Sequence, residues 1–344
     1  MTRFKGMFAI GLVALVGLSG CVSAPSVTAT DAGSTGPTAA APTPAAPTGT
    51  ASAAPAATCT DAQTYATYAP DPAAGPDRTG SYAKAIRDRG YLVAGVSADT
   101  LLLGVADATD PTKFDGFDIE MVRAVARGIW PGDKDIDKKI RFKVITAGDR
   151  TPQLKLDVKA DIASGGVDLV ARVFTITCAR WNDVAFSAPY LAVTKRLLVP
   201  GQIAAPQTYT VGSGLKICAP TGTTSIEGID KINNGTPVGV PLHTDCLALL
   251  QQGKVDAITG DDVILAGFHA QDPYTTVLPT AYTGQQFAGL GMNKAHPDFV
   301  RFVNGVLEQL RSGGGWQAAY TTWLKDKGGL PAQTLPAPVY GRAS

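Results

Sequence analysis

Val167-Asp168-Leu169-Val170-Ala171-Arg172-Val173-Phe174-Thr175-Ile176-Thr177-Cys178-Ala179-Arg180-Trp181 is the stretch whose reading decides the fold. It opens as an apolar run of strand length. It closes with two threonine hydroxyls and a guanidinium. A strand that delivers Thr175, Thr177 and Arg180 to its carboxyl end builds a seat for a small carboxylate. Arginine offers a planar fork that binds a carboxylate through two parallel bonds. Threonine hydroxyls and the N–H groups of the turn serve the remaining lone pairs. Taken alone, the same run also reads as a strand, a turn and a surface arginine.

Outward from this run, strands and helices alternate. Leu92 to Val96 reads as a strand. Phe117 to Ile129 reads as an amphipathic helix, with Ile119, Val122, Val125, Ala126 and Ile129 on one face and Gly116 at its start. Ile140 to Ile145 alternates as a strand. Thr151 to Ala163 reads as a helix with Pro152 in its first turn, where proline is tolerated. Val167 to Phe174 is expected as a buried strand. Leu215 to Ala219 is expected as a strand leading through Thr221-Gly222-Thr223-Thr224-Ser225 into a helix. Asp245 is placed to cap a helix running through Gln252, with a strand at Val255 to Thr259 after it. Asp298 to Arg311 reads as a helix with Phe299, Phe302, Val303, Val306, Leu307 and Leu310 apolar. No internal repeat is evident. Such alternation predicts α/β units whose sites lie at the carboxyl ends of the strands.

The beginning of the chain gives an address. Arg3 and Lys5 form a short basic region, and Met7 to Leu18 is apolar but too short to span a bilayer. Leu18-Ser19-Gly20-Cys21 looks like a bacterial lipobox, which predicts a signal peptide over 1–20 and lipidation of Cys21. The other reading is a secretory signal with an incidental cysteine. Residues 21–58 read as a tether: Val22 to Thr58 is almost wholly Ala, Pro, Thr, Ser and Gly, with Asp31 its only charge. That composition cannot bury a core. Its prolines favour an extended chain, at about 3 Å per residue.

The rest, 59–344, is long for one core and natural for two lobes. A net charge of +1 without a basic stripe argues against nucleic acid. Cys59, Cys178, Cys218 and Cys246 make an even set in an exported chain, which predicts two disulfides. None has metal-type spacing. His243, His269 and His296 are scattered, and neither a metal nor a cofactor is expected.

The opening run resembles the signature of extracytoplasmic solute-binding proteins for polar amino acids of the glutamate and glutamine type. In that family a pattern like D-L-V-x-A-G-M-T-I-T-x-x-R recurs. Asp168, Leu169, Val170, Thr175, Ile176, Thr177 and Arg180 match it, whereas Arg172 and Val173 replace smaller residues. Gly116-Phe117-Asp118-Ile119-Glu120 is similar to the family's first helix start. Cys246 to Ile258, with Asp261 and Asp262 after it, is a third match. Gly291-Met292-Asn293-Lys294, His296-Pro297-Asp298-Phe299, Trp316 and Trp323-Leu324 form the fourth. The matches lie in order from about Gly90 to Leu324, and four in register are specific.

The resemblance implies a type II periplasmic-binding-protein-like α/β fold with two lobes and two hinge crossings. Lobe I would be 59–192 plus 284–344, and lobe II 193–283. Crossings near Tyr190 to Lys195 and Ala281 to Gln286 would let the cleft close on a ligand. By position, Arg180 would clamp an α-carboxylate. Thr175 and the backbone of Val173 would bind the α-ammonium and carboxylate, with Asp261 pairing with the ammonium across the cleft. Thr223 and Thr224, opening a lobe II helix, would offer N–H groups and a dipole to an anion. Asp99 either faces the cleft or is a plain loop carboxylate. Thr100-Leu101-Leu102 and Ala147-Gly148-Asp149 stand where some relatives carry a ligand-sandwiching aromatic pair. Arg150 and Arg172 are additional guanidiniums near the cleft and favour glutamate or aspartate over glutamine. Arg172 would lie outside the pocket if its side chain took the other face of the strand.

Cysteine pairing is read from the same lobes. Of three possible pairings, Cys59–Cys178 and Cys218–Cys246 keep each bond within one lobe and leave the hinge free. The resemblance implies a monomeric, lipid-anchored protein on the outer face of the cytoplasmic membrane. It would deliver a polar amino acid to the permease of an ABC importer. A sensor feeding a separate membrane kinase or receptor is the alternative. An enzyme is not expected: dehydratases share the fold, but no acid–base arrangement is evident, and Arg180 with Asp261 suits a zwitterion.

Overall fold

The structure, a computed structural model, describes residues 60–201 and 212–343. The expected signal peptide (1–20), tether (21–58), lipidated Cys21 and disulfide residue Cys59 lie outside the described residues.

Two five-stranded sheets carry the molecule. The first runs Ile140–Val144, Leu92–Val96, Leu169–Ala171, Gly291–Met292, Ala185–Phe186. Its first three strands are parallel, and Gly291–Met292 is antiparallel to both neighbours. The second runs Thr236–Val240, Lys216–Pro220, Ala257–Asp261, Lys195–Pro200, Thr275–Val277. Again three strands are parallel, and Lys195–Pro200 is antiparallel to both neighbours. The two sheets thus repeat one plan, although no sequence repeat announces it. Both lie in one compact unit.

The chain passes from the first sheet to the second through Leu191–Val193 and returns through Gln286–Ala288. These crossing strands pair antiparallel, with Val193 opposite Gln286 and Leu191 opposite Ala288.

The helix Phe117–Ile129 buries the expected stripe: Ile119, Val122, Val125, Ala126 and Ile129 are all buried. Each of the Ile and Val side chains contributes about 1.5–3 kcal/mol on leaving water. Gly116 starts it at φ 128°, where a Cβ would lie 2.3 Å from the Leu103 carbonyl oxygen. No other residue fits there. The helix Pro297–Ser312 turns Phe299, Val303, Val306 and Leu307 inward.

Several expected elements differ. The helix read over Thr151–Ala163 spans only Arg150–Lys155. Beyond it, carbonyl groups leave the helical ladder: Lys143 Nζ donates to the oxygens of Ala163 (3.1 Å) and Gly165 (2.6 Å). The strand read over Val167–Phe174 narrows to Leu169–Ala171. Val173 ends it by taking φ 39°, a left-handed conformation that strains a β-branched residue. The strand expected over Val255–Thr259 lies at Ala257–Asp261, which brings Asp261 onto its last position. After Thr221–Ser225 comes only a six-residue 3₁₀ helix, Ile226–Lys231, so the dipole expected at Thr223 and Thr224 has no α-helix behind it. Asp245 is the third residue of the helix His243–Gln251, and it caps from within by accepting from the Leu242 N–H (3.0 Å).

Cys218 and Cys246 are disulfide-bonded and tie that helix to the strand Lys216–Pro220. Cys178 is also disulfide-bonded; its expected partner Cys59 lies outside the described residues. Among the described residues no helix is long and apolar enough to cross a membrane.

Candidate functional site

Parallel strands of both sheets aim their carboxyl ends at a common region. From the first sheet come Asp99, just past Leu92–Val96, and Arg172 with Val173, just past Leu169–Ala171. From the second come Thr223, past Lys216–Pro220, His243, past Thr236–Val240, and Asp261. Asp168 of the opening run sits at the other end of its strand. It accepts from the Val93 N–H (2.8 Å), the Tyr82 hydroxyl (2.7 Å) and Arg89, so it is a structural tie.

Between the sheets is a cavity of about 20 Å³, room for roughly one water. Of the expected residues, Arg150, Arg172, Val173, Thr175, Thr223, Thr224 and Asp261 line it. Lys195, Ser225, His243 and Ile264 line it too and were missed in the sequence. Arg180 and Asp99 are not on its wall. The walls meet directly around it. The Thr244 N–H and hydroxyl donate to Asp99 Oδ2 (3.2 and 2.8 Å). Arg150 and Arg180 both donate to the Gly222 carbonyl (3.0 and 3.2 Å). Gly222, at φ 71°, comes so near Gly148 that a Cβ would lie 2.7 Å from the Gly148 Cα.

Arg172 is the most exceptional group in the site. Its side chain is buried, at 4 % exposure, and none of its three guanidinium nitrogens makes a hydrogen bond to a described residue. The contacting carboxylate, Asp99, is 3.9 Å away. Burial disfavours its charge, and Asp99, Asp118 and Asp149 favour it. A buried guanidinium held only by such a long ion pair is costly.

Its neighbours are committed. Arg150 donates to the carbonyls of Ala147 (2.7 Å), Arg172 and Val173 (both 3.3 Å) as well as Gly222. Arg180 donates to the Thr175 carbonyl (2.7 Å), and its guanidinium lies 4.7 Å from the Phe174 ring centroid. The Thr223 hydroxyl closes its own turn on Pro220 O (2.7 Å). Asp261 is ion-paired with Lys195 at 2.9 Å, its register partner on the adjacent antiparallel strand. Lys195 Nζ also lies 3.2 Å from Ser225 Oγ.

Two titratable groups frame Arg172. His243 leaves Nδ1 without a partner among the described residues; burial and then Arg172 push its pKa down to about 3, so the ring is neutral. Asp118 is held by the Tyr190 hydroxyl (2.7 Å) and the Val173 N–H (3.1 Å), and burial pushes its carboxyl up to about 6. Through that N–H, Asp118 fixes the strained turn at Val173. Asp99 behaves oppositely: burial raises it, but hydrogen bonds from Ser97 and Thr244 outweigh that and hold it low.

A profile described as bacterial extracellular solute-binding proteins, family 3, matches residues 92–326, more than half of the chain. The chain belongs to that family. Among curated family relatives is the ABC transporter glutamine-binding protein GlnH of Bacillus subtilis, 28% identical over 243 residues, spanning 70% of this chain and 84% of the relative. Another is the glutamate-binding protein GluB of Corynebacterium efficiens, 25% identical over 271 residues, 77% of this chain and 89% of the relative. Among solved structures, a cysteine-binding protein from Campylobacter jejuni superposes with a TM-score of 0.61 at 21% identity, covering 71% of this chain and 93% of that one. That likeness carries the two-lobed fold of the solute-binding family.

Proposed function

We propose that this protein is a lipid-anchored extracytoplasmic receptor that captures glutamate or aspartate and delivers it to an ABC importer. The carrying observation is Arg172: a guanidinium with no hydrogen-bonded partner among the described residues, buried on the wall of the cavity between the sheets. A side-chain carboxylate would complete it with two parallel bonds. Relatives named for glutamine and glutamate binding support the amino-acid class. In this reading Arg180 takes the α-carboxylate together with Thr175 and the Val173 backbone. Asp261 takes the α-ammonium, and Thr223, Thr224 and Arg150 complete the wall. Lobes 59–192 with 284–344, and 193–283, part at the paired strands Leu191–Val193 and Gln286–Ala288 and close again over the ligand. Cys21 carries the lipid, and 21–58 spans the gap to the folded part.

Calorimetry against the common amino acids tests the ligand. Heat from glutamate or aspartate, and at least about tenfold weaker binding of glutamine, is expected. Tight binding of glutamine without any response to the acids sinks the acidic assignment. For the anchor, Cys21→Ala should appear in the soluble fraction or stay unprocessed. Unchanged membrane attachment of a processed Cys21→Ala protein removes the lipid from the account.

A further inference from the structure

The position that the family resemblance assigns to a ligand's ammonium is already served by this chain. Asp261 is 4 % exposed and Lys195 3 % exposed. Their side chains meet at 2.9 Å on the wall of the cavity. Lys195 is the first residue of its strand, directly after the crossing Leu191–Val193, and faces Asp261 through strand register. The geometry is therefore set by the backbone ladder, and Ser225 Oγ holds the same ammonium from the other side at 3.2 Å.

The charge around the cavity points the same way. Arg150, Arg172 and Lys195 line the cavity with Asp261, and Asp99, Asp118 and Asp149 act on Arg172 from around it. Asp118 is spent on Tyr190 and Val173, and Asp99 on Thr244 and Ser97. Among these cations Arg172 is the one whose guanidinium makes no hydrogen bond to a described residue, and its contact with Asp99 is long, at 3.9 Å. Such a wall offers unused guanidinium donors to an anionic ligand, while the aspartate on it is already paired with Lys195.

We propose that Lys195 acts as a built-in ammonium, so that the cleft accepts small dicarboxylates that lack an α-amino group as well as the acidic amino acids. The inference rests on the acidic-ligand reading above and widens its substrate class to five-carbon 2-oxo and unsubstituted dicarboxylic acids. In a site whose aspartate is bare, such a ligand leaves a buried carboxylate unpaired, a loss of at least about thirtyfold in affinity. With Lys195 in place that loss disappears.

The test is calorimetry of the purified protein with L-glutamate, 2-oxoglutarate and glutarate. In the wild type, 2-oxoglutarate should bind within about tenfold of glutamate. Lys195→Met should weaken 2-oxoglutarate by at least about thirtyfold. It should cost glutamate much less, because the ligand's own ammonium then covers Asp261. Lys195→Arg should keep the wild-type ratio. If Lys195→Met does not fold, the wild-type ratio decides alone. Glutamate binding with no heat from either dicarboxylate overturns the inference and leaves the acidic amino-acid reading standing. Dicarboxylates binding without glutamate would keep Lys195 as the built-in ammonium but refute the acidic amino-acid reading and the shared acceptance with it. Silence from all three removes both.

Discussion

Arg172 carries opposite consequences for stability and for function. Its charge is buried without a hydrogen bond to a described residue and only loosely paired with Asp99, at 3.9 Å. Asp99 keeps its own hydrogen bonds from Ser97 and Thr244, so replacing Arg172 by an apolar side chain of similar length removes a cost. Arg172→Met should raise stability by about 1–3 kcal/mol in urea unfolding and abolish binding of acidic ligands. A destabilised Arg172→Met protein that still binds glutamate would refute both the energetics and the role. Asp118 and His243 should pull stability in opposite directions below neutrality. Asp118 has a folded pKa raised to about 6 from 3.8, so the folded state binds the extra proton, and its contribution falls as pH rises through that window. His243 has a folded pKa depressed to about 3 from 6.5. Its contribution is present above about 6.5 and is lost as pH falls, because the unfolded chain takes the proton. Asp118→Asn should therefore lose stability relative to wild type as pH falls from 6 to 4, and His243→Gln should gain it. Urea midpoints across that range check both signs, and parallel curves for all three proteins would contradict the assignment. Arg172 was visible in the sequence as a large residue in a small residue's place and as an additional guanidinium near the cleft, with its strand face left open. Lys195 carried a better signal that went unread: a cation within the otherwise apolar stretch Leu191 to Val199, broken by only Thr194 and Arg196.

At the scale of elements, the helix His243–Gln251 matters most, because its first turn supplies His243 to the cavity and Thr244 to Asp99. It is stapled to its sheet by the bond between Cys218 and Cys246, which closes a loop of 28 residues. Removing that bond through a double Cys→Ala change should cost about 3–4 kcal/mol by the chain-entropy estimate. The measured loss should match between thermal and urea unfolding, and an unchanged midpoint would contradict it. Long amphipathic elements were legible: Phe117–Ile129 and Pro297–Ser312 bury the stripes that their spacing dictates. Short elements were not. Residues 156–163 have helix-forming composition, yet Lys143, reaching from the adjacent strand, takes carbonyls of the loop that follows Lys155. The 3₁₀ helix Ile226–Lys231 fails to lengthen because Asn233 and Asn234 take left-handed conformations just beyond it. The site was legible as far as the residue types at strand ends. The pairing of Lys195 with Asp261 depends on strand register across a crossing, which no local pattern encodes.

For the whole molecule, approach of the two sheets depends on how near Gly222 comes to Gly148. Gly222→Ala places a methyl group 2.7 Å from the Gly148 Cα and should hold the lobes apart. Ligand affinity should fall by about tenfold or more, and small-angle scattering with saturating ligand should give a larger radius of gyration than wild type. Gly253, at φ 65° with open space around its Cβ position, is the control. Gly253→Ala carries similar backbone strain, costs about 1 kcal/mol, and should leave affinity unchanged. Equal loss of binding in both variants would mean that strain, not steric closure, is responsible. The crossing strands Leu191–Val193 and Gln286–Ala288 set how that closure proceeds. Because they are hydrogen-bonded to each other, they bend as one ribbon instead of two independent strings. Sliding or twisting one lobe against the other would break ladder bonds, whereas flexing the ribbon keeps them. In the proposed closure, motion would be channelled into one soft coordinate, and each closing stroke would return the same atoms to the same opposite numbers. A single glycine can then act as a mechanical stop for a body of this size.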